Sequence, residues 1–265
     1  MSSSKVKLVR NVADGVSLFK LESGEAVFFT SRMHVDADGC PQAYGPNNSG
    51  IEDNKAAKTK NKRGDVVFSG DVLVLDSNGN PVPQKSTDPV PGFFISKTAL
   101  RDRKAAERDP SGYVDALNFP YIVLPGDPRG APPGSGAGGA RPGDAALVID
   151  ETTGMRVKAI VGDIGPSKET GEASMYLAGL ISGLSPTQIT EAKARTKKSF
   201  VSPRSGGTEK RHFRYIVFPK TTMVWTKLDS RDNAAVKQRR ADIEAQLDRA
   251  LVALTHDQVV TITTA

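Results

Sequence analysis

The chain has 265 residues, of which 38% are hydrophobic and 25% charged, with 25 glycines and 17 prolines. Such a composition is ordinary for a folded chain and its many turn residues favour a β-rich fold over a helical bundle; the single cysteine, Cys40, excludes an internal disulfide framework. The formal charge of +6 is spread over basic runs at 55–63, 101–108 and 193–198 that no aromatic residues interleave, so it reads as solvated surface and no nucleic-acid partner is expected.

Short β-branched runs bounded by Gly, Pro, Asn or Asp recur along the chain and predict strands at 16–21, 26–35, 66–75, 92–96, 121–124, 145–150, 155–163, 214–218, 223–228 and 259–263. Asn78-Gly79 and residues 151–154 predict hairpin turns, the second joining 145–150 to 155–163. The lysine-rich stretch 53–65 has no periodicity and reads as a mobile loop, as does the Gly/Pro-rich stretch 126–143, an excursion between two strands of one domain. Helices are predicted at 173–181, from Ser185-Pro186 to about Arg195, and at 233–254, where Val236, Ile243, Leu247, Leu251 and Leu254 form an apolar stripe. There is no internal repeat. No run reaches the ~18 apolar residues of a membrane span, so no membrane partner is expected, and the opening MSSSKVKLVRNVADG lacks the apolar core of a secretion signal.

The stretch VGDIGPSKETGEASMYLA at 161–178 carries the main chemical signal. Asp163 closes a strand, Glu172 opens the next element, and a glycine beside each leaves room for close approach. Two carboxylates on rigid elements are what glycoside hydrolysis requires, one protonating the leaving oxygen and one activating water. The competing reading is a Gly-Asp turn followed by a Glu that complements a helix dipole. Asp36 and Asp38, in Asp-Ala-Asp-Gly, read as a turn, as the start of a calcium loop that lacks its later ligands, or as contacts for a cationic sugar; Asp53 is a further cleft acid. Tyr44, in a polar loop, is the aromatic best placed to stack on a sugar, whereas Tyr121 and Trp225 lie in core-like patterns. His34, His212 and His256 have no metal-ligand spacing, Ser174 has no nucleophile elbow around it, and no phosphate-binding loop is present, so no cofactor or metal is expected.

VGDIGPSKETGEASMYLAGL resembles the signature of glycoside hydrolase family 75, the fungal and bacterial chitosanases, and would represent a diverged bacterial branch. Met33-His34-Val35-Asp36-Ala37-Asp38-Gly39 resembles that family's early Asp-x-Asp-Gly segment, the segment from Asn118 to Pro125 its Pro-Tyr-hydrophobic strand, and Arg214-Tyr215-Ile216-Val217-Phe218 its late strand, together spanning about residues 26–228. The resemblance implies a single mainly-β domain over 1–265, a β-barrel of the double-psi-related kind with peripheral helices and a C-terminal extension from 233. It implies an endo-acting, inverting hydrolase of chitosan, secreted, with Asp163 and Glu172 catalytic; Asp36, Asp38, Tyr44 and Asp53 are then the candidates for contact with the polysaccharide. Two other readings stand beside it: a hydrolase of another amino-sugar glycan such as peptidoglycan, and a non-catalytic binding or structural module. If the chain inverts, the two carboxyls should lie roughly 6.5–9.5 Å apart across one groove. Desolvation at the end of an apolar strand favours Asp163 as general acid, and a helix start favours Glu172 as the ionised base.

Overall fold

The computed structural model describes residues 5–12, 15–128, 135–191 and 212–264. The fold is mainly β. Nine strands form one mixed sheet: β1 (Val6–Asn11), β2 (Ser17–Leu21), β3 (Val27–Ser31), β4 (His34–Asp36), β7 (Tyr121–Pro125), β8 (Ala145–Asp150), β9 (Arg156–Gly165), β10 (Glu172–Ser174) and β11 (Phe213–Phe218). Two further strands, β5 (Lys58–Lys60) and β6 (Val66–Phe68), form a separate antiparallel hairpin. Four α-helices lie among the described residues: α1 (Met175–Ile181), α2 (Pro186–Glu191), α3 (Asn233–Val252) and α4 (His256–Thr264).

The sheet order is β1-β2-β3-β11-β8-β9-β7-β10-β4. Strands β3 and β4 are joined by two residues, Arg32 and Met33, yet they hold the third and the last positions in that order. Only a sheet that rolls back on itself satisfies both conditions. The seam is held by side chains and loop backbone: the Tyr215 hydroxyl donates to the carbonyls of Gly171 at 2.9 Å and Arg32 at 3.3 Å, and His34 N–H donates to Gly171 O at 2.8 Å. No backbone ladder among the described residues joins β4 to β3, so the sheet is curled but is not the closed barrel expected from the sequence.

The central strands are apolar on both faces, with a period of two. Phe29, Ala146, Val148, Tyr215 and Val217 face the main core with α1, while Phe28, Leu147, Ile149, Ile216 and Phe218 face a second core closed by Leu247 and Ala250 of α3 and Ile262 of α4. The stripe on α3 therefore packs on this chain's own sheet. Asp232 caps that helix, its carboxylate accepting from Ala234 and Ala235 N–H.

Several elements depart from expectation. Residues 259–263 were expected as a strand and are helical. Thr255 and Gln258 form a reciprocal capping box at the start of α4, and Thr261, Thr263 and Thr264 donate back to carbonyls one turn earlier, which overrides the β-branched composition. Part of the expected loop 53–65 pairs as the β5–β6 hairpin. Of the strand predicted at 66–75 only β6 is regular; residues 92–96 make isolated bridges and 223–228 no regular element. The hairpin at 151–154 forms as expected, with Ala145 opposite Ile160 and Ile149 opposite Arg156. Helix α2 begins at Pro186 with a Ser185–Gln188 capping box, and its expected continuation to about Arg195 lies outside the described residues, as does the basic run 193–198. No described helix is long and apolar enough to cross a membrane.

Candidate active site

Four acidic side chains from three segments converge at one end of the curled sheet. Asp36 ends β4, Asp38 follows it in a tight turn, Asp163 lies near the end of β9, and Glu172 opens β10. Carboxylate oxygens of Asp36, Asp38 and Asp163 lie within 4.8 Å of one another. Glu172 is close enough that its charge acts on Asp38, Asp163 and Tyr215.

Each position has a local cause. Strand β9 runs parallel to β7, and Gly162 is an extra residue in that register: Ile122 pairs with Val161 and Val123 with Asp163. This bulge re-aims the acid. Gly162 is needed because a Cβ there would fall 2.4 Å from the Tyr121 ring. Ala99 and Ile164 N–H both donate to Asp163 Oδ1 at 2.8 Å, which fixes the carboxylate. Glu172 is set by β10, which pairs in parallel with β4 so that Glu172 stands beside His34 and Ser174 beside Asp36. Gly165 leaves space for it; a Cβ there would sit 3.1 Å from Glu172 Oε2.

Two tyrosines hold the first acidic pair. Tyr121 donates to Asp36 Oδ2 at 3.0 Å and its hydroxyl also lies 2.9 Å from Asp38 O. Tyr44 donates to Asp38 Oδ1 at 2.9 Å. Asp36 Oδ1 accepts from Asp38 N–H, closing the turn in which Gly39 has φ +75. The buried network is consistent with the rule that hidden carboxylates are hydrogen-bonded.

The electrostatics follow from burial and from like charges. Burial, then Asp36 and Asp163, push Asp38 well above the ordinary carboxyl range, and the Tyr44 bond opposes the shift. Burial and then Asp36 raise Asp163, while the N–H groups of Ile164 and Ala99 pull it down and Glu172 raises it further. Burial and nearby acids also raise the Tyr44 and Tyr121 hydroxyls, so both remain donors. Asp38 and Asp163 thus hold their protons to higher pH than an isolated carboxyl would.

The predicted residues sort clearly. Asp36, Asp38, Asp163 and Glu172 come together. Asp53 is exposed, and its carboxylate accepts from Lys55 N–H in its own turn. Tyr44 is only 3% exposed, so its ring faces the core and its hydroxyl serves Asp38. Glu172 stands in a strand, not at a helix start; Ser174 caps α1 by accepting from Leu177 N–H. No helix dipole therefore acts on Glu172 in the way the sequence led one to expect. Tyr121 and Tyr215 were read only as strand residues; their apolar neighbours conceal hydroxyls that reach the acids and the seam. Asp36, Asp38 and Asp163 are also the described residues that could hold a hard divalent cation through oxygen ligands.

A concavity of about 750 Å³ adjoins the cluster, with Leu100, Pro125, Ile164, Met223 and Trp225 among its walls. Ala99 and Ile164, which hold Asp163, both line it. None of the four acids is in its lining, and Ile164, which is, points to the strand face opposite Asp163.

No protein-family model matches the chain, and no curated protein matches it.

Proposed function

We propose that the protein is a glycoside hydrolase acting on a β-1,4-linked amino-sugar polymer by a two-carboxylate, inverting mechanism, chitosan being the polymer implied by the family 75 resemblance. The observation that carries this reading is the convergence of Asp36, Asp38, Asp163 and Glu172 from distant parts of the chain. Inverting hydrolysis needs a protonated acid at the leaving oxygen and an ionised one at the attacking water. Burial and mutual repulsion raise Asp38 and Asp163 above the ordinary carboxyl range, which supports a protonated acid in the cluster. Asp163, held above the usual range, is the general acid and Glu172 the base. Asp36, Asp38 and the two tyrosines fix the site and set its charge. The rolled nine-stranded sheet supports reading the fold as an opened relative of the double-psi barrel.

The non-catalytic alternative would pair these acids with Lys or Arg. The principal charges acting on Asp38 and Asp163 are instead other carboxylates. Reducing-end release from soluble chitosan and from peptidoglycan, by wild type and Glu172→Gln side by side, tests the proposal.

A further inference from the structure

Basic side chains mark two surfaces that contacts connect to the acid cluster. The first is the groove lined by Ala99 and Ile164, whose N–H groups hold Asp163. Its lining holds four cationic side chains, Arg101, Arg103, Lys104 and Arg141, against two carboxylates, Asp102 and Asp127. Both carboxylates are already engaged by backbone: Asp102 accepts from Lys104 and Lys227 N–H, and Asp127 from Gly136 N–H. Arg103, Lys104 and Arg141 are exposed and form no ion pair among the described residues.

The second surface is the β5–β6 hairpin. Lys55, Lys58, Lys60, Lys62 and Arg63 are all exposed, and none of them forms an ion pair among the described residues. Lys58 and Lys60 stand on one face of the hairpin, opposite Phe68 and Val66 in register. The hairpin is tied to the site by contact: Phe68 packs edge-on against Phe94 at 6.2 Å, Phe94 N–H donates to Tyr44 O, and Tyr44 holds Asp38. Val66 is 64% exposed, so apolar area lies beside these charges.

A chain with an ammonium group on every sugar would meet unpaired cations on both surfaces. Exposed charges farther apart than about 8 Å are largely screened from one another at physiological salt, so each surface acts on the part of the chain that lies against it. A chain with carboxylates on its side groups meets complementary charge at the flanks. It meets the acids only at the point of cleavage. Resting on the hydrolase reading, we propose that the substrate is an amino-sugar glycan carrying carboxylate side groups, of the chemistry found in peptidoglycan strands, held by the Arg103–Lys104–Arg141 rim and the lysine hairpin.

The test uses the full chain and three soluble polymers of matched length: peptidoglycan glycan strands, neutral glycol chitin and cationic glycol chitosan. Reducing-end release is measured with wild type, and affinity by titration calorimetry with Glu172→Gln. The acidic strands should be cleaved fastest. Adding Arg103→Glu and Lys104→Glu to the Glu172→Gln chain should weaken their binding about tenfold, the scale of one or two screened charge contacts. An unchanged thermal midpoint verifies folding, and the hairpin variant Lys58→Glu/Lys60→Glu repeats the measurement independently. Glu172-dependent cleavage of glycol chitosan with the acidic strands untouched overturns the inference and leaves the hydrolase reading intact. Charge-dependent binding of acidic strands with no polymer cleaved supports the inference about the ligand and removes the hydrolase reading. Equal competition by single-stranded DNA identifies a general polyanion surface and overturns the inference.

Discussion

The Tyr44 hydroxyl donates to Oδ1 of Asp38 across 2.9 Å, and the tyrosine is 3% exposed. A ring that sequence context offers to a sugar is instead spent on holding an acid. Tyr44→Phe leaves that oxygen with Ser96 Oγ at 3.4 Å. Loss of a hydrogen bond to a buried acceptor costs about 1–3 kcal/mol, so urea unfolding should show a loss of that size. A variant as stable as wild type would show that the contact contributes nothing.

Stability should fall as the solution becomes less acid. Asp38 and Asp163 are raised above the 3.8 of an ordinary aspartate. Between the unfolded and folded values the folded chain binds more protons, so its stability declines as pH rises. The contribution is complete below about pH 4 and is lost as pH climbs through the folded values. Asp38→Asn removes one buried charge. Its thermal midpoint, read in chelator, should exceed that of wild type by a margin that widens from about pH 5 to about pH 8. A constant or shrinking margin would contradict the assignment.

Much of this fold was legible from residue pattern because local and tertiary preferences agree. The 145–150 and 155–163 hairpin has alternating apolar faces and a four-residue turn, and the stripe on α3 meets a sheet face. Pattern failed where one side-chain bond decides between states. Thr255 and Gln258 turn a β-branched tail into a helix. The Asp163–Glu172 pairing was visible as a motif. The meeting with Asp36 and Asp38 rested on resemblance, because it depends on the roll of the whole sheet. Tyr121 and Tyr215 look like any core strand residue in sequence; what distinguishes them is the acid or carbonyl across the fold that receives the hydroxyl.

Gly171 is a point of failure for the seam. Its φ is +85, and a Cβ there would fall 2.1 Å from Arg32 O. Strain and backbone clash act together, so Gly171→Ala should lose more than about 2 kcal/mol. Because Glu172 follows directly, any folded fraction should also lose activity. Wild-type stability in this variant, read by chemical unfolding, would exclude the close approach.

The roles of the two acids separate on a substrate with a good leaving group, which needs little protonation. Asp163→Asn should then recover most of its lost rate, and Glu172→Gln should not, because water must still be activated. The reverse ordering would exchange the two roles.

The most direct measurement is reducing-end release from soluble chitosan and from peptidoglycan glycan strands by wild type and Glu172→Gln. The account predicts release from at least one polymer by wild type, reduced at least about a hundredfold by Glu172→Gln, the usual scale for removing a positioned acid or base. Absence of release from either polymer, or release that survives Glu172→Gln, would contradict it.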